Sequence, residues 1–178
     1  MGFGKENIRE VIAETAKDFL LVKNPDEITM FMVAKELDIT PVTLYHYFGG
    51  KDEIIKAGYE MIISEIVECV DIRFPVTLSS SFKLKIILKN LCDYFYRTGL
   101  NATWLVEDPS CAPVSLQFVR NIVFDLVLKL FNCDENDGMK ITYRYLALIQ
   151  AEILYHKKKS KPLPENTVEN VFKIVNRK

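Results

Sequence analysis

The sequence predicts an all-α fold. Apolar residues recur at the three-and-four spacing of helix faces along most of its 178 residues. No useful stretch alternates with the two-residue period of a strand, and clusters of Asn, Pro, Asp and Gly fall between the periodic runs. Ile8, Val11, Ile12, Ala16, Phe19 and Leu20 form the first stripe, which Asn24-Pro25-Asp26 ends. A second helix fits from about Met30 to Leu37, with Thr29 as its N-cap. A third starts at Thr40-Pro41, a capping hydroxyl before a proline suited to the first helical position, and ends near Phe48 because Gly49-Gly50 follows. A long helix then runs from about Lys51 to Ile72, with Asp52 and Glu53 in its first turn, where negative charge suits the helix dipole.

The same pattern continues. Helices are expected over about 78–98, 114–131, 139–158 and 165–176, with a short segment around 102–106 and a break bracketed by Pro109 and Pro113. Asn132 to Gly138 reads as a plain loop. The expected organisation is a three-helix head over 1–50, carrying the start of the connecting helix 51–72, and a larger helical domain over 51–178.

Composition removes several function classes. The 49% hydrophobic share excludes a disordered chain, and a net charge of −1 advertises no polyanionic partner for the molecule as a whole. No run approaches a membrane span, and MGFGKENIRE has no apolar signal core. Cys69, Cys92, Cys111 and Cys133 include no CxxC pair, so reduced, buried thiols in a cytoplasmic protein are expected. His46 and His156 are too far apart to suggest a metal site. No Ser/His/Asp set has a recognisable spacing, and no glycine pattern forms GxGxxG or a P-loop, so neither enzyme activity nor a cofactor is expected.

The informative stretch is TMFMVAKELDITPVTLYHYFGGKDEII, from Thr29 to Ile55. Two short helices joined by about three residues, Leu37 to Ile39, satisfy helix-turn-helix geometry. Val33, Ala34 and Leu37 give the first of them a buried face, and the small Ala34 allows close approach. Ile39 plugs the turn, and Leu44 with Phe48, at i and i+4, anchors the second helix. Asp38 stands in the turn, where it tolerates a left-handed backbone better than most residues but worse than glycine. Pro41, Val42, Thr43, Tyr45, His46 and Tyr47 remain on the outward or flanking surface. There Thr43 and Tyr45 can meet base edges or phosphates in a major groove, and Val42 or Pro41 can pack on a thymine methyl. A phosphate at the start of the next helix would suit both Lys51 and the free backbone amides.

This string resembles the DNA-binding signature of the TetR family: a capping threonine, Val33-Ala34, a turn, Thr43-Leu44-Tyr45, Tyr47-Phe48, and Lys51 followed by acids and aliphatics. The resemblance covers about fifty residues, and beyond them only length and helix layout agree. It implies a transcriptional regulator, a repressor released by a small apolar or aromatic effector, binding double-stranded operator DNA as a homodimer. It places Thr29, Pro41, Val42, Thr43, Tyr45, His46, Tyr47 and Lys51 at DNA-contacting positions. Two residues depart from the pattern, and the first is Asp38, at the turn position that is usually glycine. Phe31, flanked by Met30 and Met32, stands where many members carry a basic or polar residue. Residues 1–60 also hold seven Lys/Arg against eleven Asp/Glu, a formal −4, so weak non-specific DNA binding is expected. The alternative is a TetR-like helical dimer with reduced DNA binding, acting as a protein-interaction co-regulator.

For the effector, Tyr94, Phe95, Trp104 and Phe118 are the candidate pocket residues within an aromatic-rich region; ordinary core is the competing reading of each. The family's dimerising pair corresponds to the helices at about 114–131 and 139–158. Val119, Ile122, Val123, Leu126, Val127 and Leu130 would form one apolar surface, and Ile141, Tyr145, Leu148, Ile149, Glu152 and Tyr155 the other. Packing of these faces on the chain's own last helix is the alternative. Lys157-Lys158-Lys159-Ser160-Lys161 reads as favourable charge at a helix C-terminus rather than a nucleic-acid contact.

Overall fold

A computed structural model describes residues 5–99 and 114–176, with side chains for 8–99 and 119–176. Over these residues the fold is all-α. The helices are α1 (Lys5–Val22), α2 (Met30–Glu36), α3 (Pro41–Tyr47), α4 (Lys51–Val70), α5 (Ser80–Thr98), α6 (Val114–Phe131), α7 (Glu135–Lys158) and α8 (Thr167–Val175), with a 3₁₀ turn at Pro25–Glu27. The expected short segment at 102–106 lies outside the described residues. Two compact units divide the chain, Met1–Glu65 and Ile66–Lys178, and the division falls within α4.

In the first unit the core is built from single faces of four helices. Ile12, Ala13, Ala16 and Leu20 come from α1, Val33 and Ala34 from α2, and Leu44 from α3, with Phe48 just beyond its end. The buried stripe of α4 repeats every four residues through Ile54, Gly58 and Ile62. Gly58 is there because α1 lies too close for a side chain. A Cβ on it would sit 2.9 Å from the Lys17 backbone nitrogen and 3.0 Å from the Ala16 carbonyl carbon. Lys17 Nζ bonds Glu65 Oε1 at 2.8 Å, and this bond to the carboxylate raises the lysine's pKa.

The second unit buries Leu84, Ile87, Leu88, Leu91 and Phe95 of α5 with Val119, Val123 and Val127 of α6. Tyr145, Leu146, Ile149 and Ile153 of α7 and Val171 and Phe172 of α8 join them. Two expectations change here. The helix expected from about Met139 starts at Glu135, so the segment Asn132 to Gly138 is not all loop. Asp134 caps it by accepting from the Asp137 N–H, and Glu135 and Asp137 complement the dipole. Gly138 is a contact glycine inside the helix rather than punctuation, since a Cβ would lie 2.5 Å from Leu128 Cδ2 of α6.

The second change concerns residues assigned to a dimer surface. Val119, Val123, Val127, Tyr145 and Ile149 are wholly buried in the chain's own core. The Tyr145 ring lies 5.0 Å from that of Phe172 on α8, and its hydroxyl donates to Asn176 Oδ1 at 3.0 Å. Apolar periodicity marks a buried face without naming what covers it, and here the last helix covers part of α7. The outward face of α7 instead exposes Ala147, Ala151, Leu154 and Tyr155.

Burial pushes the Cys92 thiol from 9.0 up to about 12, with Asp93 and Glu152 adding to the shift, and the Tyr145 phenol from 10.0 up to about 12. Both folded-state values lie above the unfolded ones. The stability they contribute is therefore complete below about pH 9 and is lost as pH rises towards 12. The melting temperature is expected to fall across that alkaline window, and to fall less steeply in Cys92→Ala. An identical slope in the variant would remove Cys92 from the effect.

Candidate nucleic-acid interface

The turn between α2 and α3 is made by backbone geometry. Asp38 has φ 52°, a left-handed conformation. The Asp38 N–H donates to the Lys35 carbonyl at 3.2 Å and the Ile39 N–H to the Ala34 carbonyl at 2.9 Å. These two bonds form a Schellman motif that satisfies the last carbonyls of α2 and reverses the chain into α3. Both short helices are capped as expected: Thr29 Oγ1 accepts from the Met32 N–H and Thr40 Oγ1 from the Thr43 N–H, each at 3.2 Å. Pro41 takes the first helical position of α3.

Anchored by Leu44 (0% exposed) and Phe48 (3%), α3 turns Val42 (66%) and Tyr45 (57%) outward, with His46 exposed beside them. Pro41, Thr43 and Tyr47 are half-buried at its flanks, and Thr29 is exposed at the start of α2. The Thr43 hydroxyl is engaged with that of Thr40 at 2.9 Å. Phe31 is 65% exposed, with Met30 and Met32 half-buried on either side.

The start of α4 is tied inward. Lys51 Nζ donates to the Asp26 carbonyl at 3.2 Å, which leaves two of its three N–H donors for other partners. Glu53 Oε2 accepts from the Gly49 N–H at 2.8 Å, so a carboxylate of the protein already sits at this helix N-terminus.

Two charged residues were not legible as site components. The Arg9 guanidinium donates to the Tyr47 carbonyl at the end of α3 and stacks 4.4 Å above the Phe48 ring, so a cation from α1 holds the C-terminus of α3. It lines an open groove of about 470 Å³ together with Ala13, Phe48, Met61 and Ser64. Arg120, 6% exposed on α6, donates to the Tyr143 hydroxyl at 3.3 Å. Its one signal in the sequence is a lone charge among Val119, Ile122 and Val123. Of the expected effector residues, Tyr94 and Phe95 are buried with ring centroids 5.6 Å apart in an edge-on contact. Trp104 and the Phe118 side chain lie outside the described residues.

Residues 12–57 match the sequence model of the family described as bacterial regulatory proteins, tetR family. The head is a TetR-family domain. The matched span begins inside α1 and ends in the second turn of α4, so it holds all of α2, the turn and α3 of this TetR-family head. Solved structures extend the likeness in fold. A tetR-family transcriptional regulator from Streptomyces coelicolor is 16% identical, with a TM-score of 0.69 over 98% of this chain and 79% of that one. A TetR-family transcriptional regulator from Marinobacter aquaeolei VT8 is 15% identical, with a TM-score of 0.61 over 94% of this chain and 96% of that one. No curated protein sequence matches the chain. The molecule thus has the fold and the head of a TetR-family transcriptional regulator, and no helix among the described residues is long and apolar enough to cross a membrane.

Proposed function

We propose that this chain is a ligand-responsive transcriptional regulator, a repressor that binds operator DNA in the cytoplasm and is released by a small apolar or aromatic effector. The observation that carries the reading is α3: its inward side is locked by Leu44 and Phe48 while Val42, Tyr45 and His46 stand free on the other. Such a helix, capped and rigidly mounted in a TetR-family head, suits a major groove. Residues 1–50, with the start of the helix 51–72, act as the reading head, and 51–178 form the effector and dimer domain. Two copies pair through α6 and α7, where Ala147 and Ala151 permit close approach and Leu154 and Tyr155 offer apolar area. Tyr94, Phe95, Trp104 and Phe118 lie in the region assigned to the effector.

Selection of bound DNA from a random duplex pool, followed by titration of the winner at several salt concentrations, tests the reading. A palindromic winner bound by a dimer, with affinity falling as salt rises, is expected. Tyr45→Ala should weaken operator binding about tenfold or more through lost base or phosphate contact. Lys51→Ala should weaken all sequences alike and reduce the salt slope by about 1. Unchanged affinity in both variants, with fold intact, would remove the role assigned to them.

The exposed Phe31 and the −4 head favour a second reading, a protein-interaction co-regulator with reduced DNA binding. No enrichment at low salt, from folded and dimeric protein, is the result that reading requires.

A further inference from the structure

From Ile39 to Gly50, the segment holding all of α3, there is no Arg, Lys, Asn, Gln, Asp or Glu. Those six residue types make the strong base-edge contacts of the major groove. Arg and Lys pair with guanine O6 and N7, Asn and Gln with adenine N6 and N7, and the acids with cytosine N4. Recognition by this helix must therefore rest on something else. What it presents is apolar: Val42 is 66% exposed and Tyr45, one turn on, is 57% exposed on the same face. Thr43 is half-buried and one hydrogen bond of its hydroxyl goes to Thr40 at 2.9 Å. His46 and the Tyr45 hydroxyl can hydrogen-bond but lack the two-pronged geometry of Arg, Asn or Gln on a base edge.

The one base feature of the major groove that rewards an apolar side chain is the C5-methyl of thymine. We infer that the operator half-site is thymine-rich where α3 lies, and that Val42 is the residue that selects it, by burying a thymine methyl. The charge of the head points the same way. Lys17 and Lys56 are paired with Glu65 and Glu60, and residues 1–60 sum to a formal −4. Phosphate attraction is thus weakened relative to apolar contact, and affinity depends on the methyls to an unusual degree. The inference rests on the DNA-binding reading above and specifies its substrate.

The test uses the full-length chain and the operator won by selection, resynthesised with deoxyuridine in place of thymine at one position at a time. Deoxyuridine keeps every hydrogen-bonding group and removes only the methyl. At the thymine under Val42, affinity should fall about fourfold, the worth of one buried methyl. In Val42→Ala, the same replacement should cost under about twofold, because the partner of the methyl is already gone. An enriched operator with G·C pairs under α3, or one bound equally well with deoxyuridine throughout, overturns the thymine assignment while DNA binding stands. A deoxyuridine penalty that persists undiminished in Val42→Ala at every position means that another side chain or the DNA's shape reads the methyl, and overturns the role of Val42. No enriched DNA at all removes the DNA-binding reading and this inference with it.

Discussion

Gly58→Ala is expected to destabilise the head by about 1–2 kcal/mol, and Gly58→Val by about 3 kcal/mol or more. The added Cβ meets the α1 backbone at Lys17 and Ala16, and a backbone cannot rotate aside as a side chain does. Alanine also gains roughly 1 kcal/mol of helix propensity over glycine, which offsets part of the clash and is why the smaller substitution costs less. Valine adds bulk without that full compensation. Urea denaturation followed by circular dichroism measures the loss, and DNA titration should show weaker binding in parallel, because α1 carries the Arg9 contact to the end of α3. A Gly58→Ala variant as stable as the parent would show that the clash costs no more than the helix propensity gained, about 1 kcal/mol. The same substitution at Gly138 meets only the ends of Leu128 and Phe124, which can move, and a smaller effect is expected there.

Tyr145→Ala is expected to cost about 3–5 kcal/mol, the range for deleting a large aromatic from a packed core. Tyr145 is fully buried, packs against the Phe172 ring, and holds the end of the chain through Asn176. Tyr145→Phe keeps the ring and deletes the hydroxyl, so it isolates the hydrogen bond at about 1 kcal/mol. The two variants together apportion the docking of α8 between apolar contact and the Asn176 bond. Equal losses in both would mean that the ring contributes little and the hydroxyl dominates. A silent Tyr145→Phe would assign the whole effect to packing. Since α8 covers the inner face of α7, Tyr145→Ala should also loosen the outer face of α7 on which pairing of two copies is proposed.

What the sequence made legible was local. Thr29, Thr40-Pro41 and Asp38 act on backbone groups within five residues of themselves, so their roles could be read from spacing alone. Leu44 and Phe48 needed only the helical repeat. Apart from the start of α7, where the local Asp134 cap reads as loop, the failures involve residues ten or more positions away. Gly138 looks like a loop glycine until Leu128 and Phe124 of the neighbouring helix are in view. Val119, Val123 and Val127 carry an apolar face that fits a second subunit as well as the chain's own core, and the pattern holds no information on which. Arg9 lies 38 residues from the carbonyl it serves, and Arg120 lies 23 residues from Tyr143. Neither distance leaves a periodic trace.

The turn at Asp38 has a consequence for how the head assembles. Its two hydrogen bonds span three and five residues, and the caps at Thr29 and Thr40 each span three. Little loop-closure entropy opposes bonds this short. Bonds of this span form on a timescale of roughly microseconds or less. Helices α1 and α4 then supply the apolar walls that make the arrangement permanent. Two seven-residue helices are marginal alone in water, so the reading element keeps its shape only where its scaffold has closed on it.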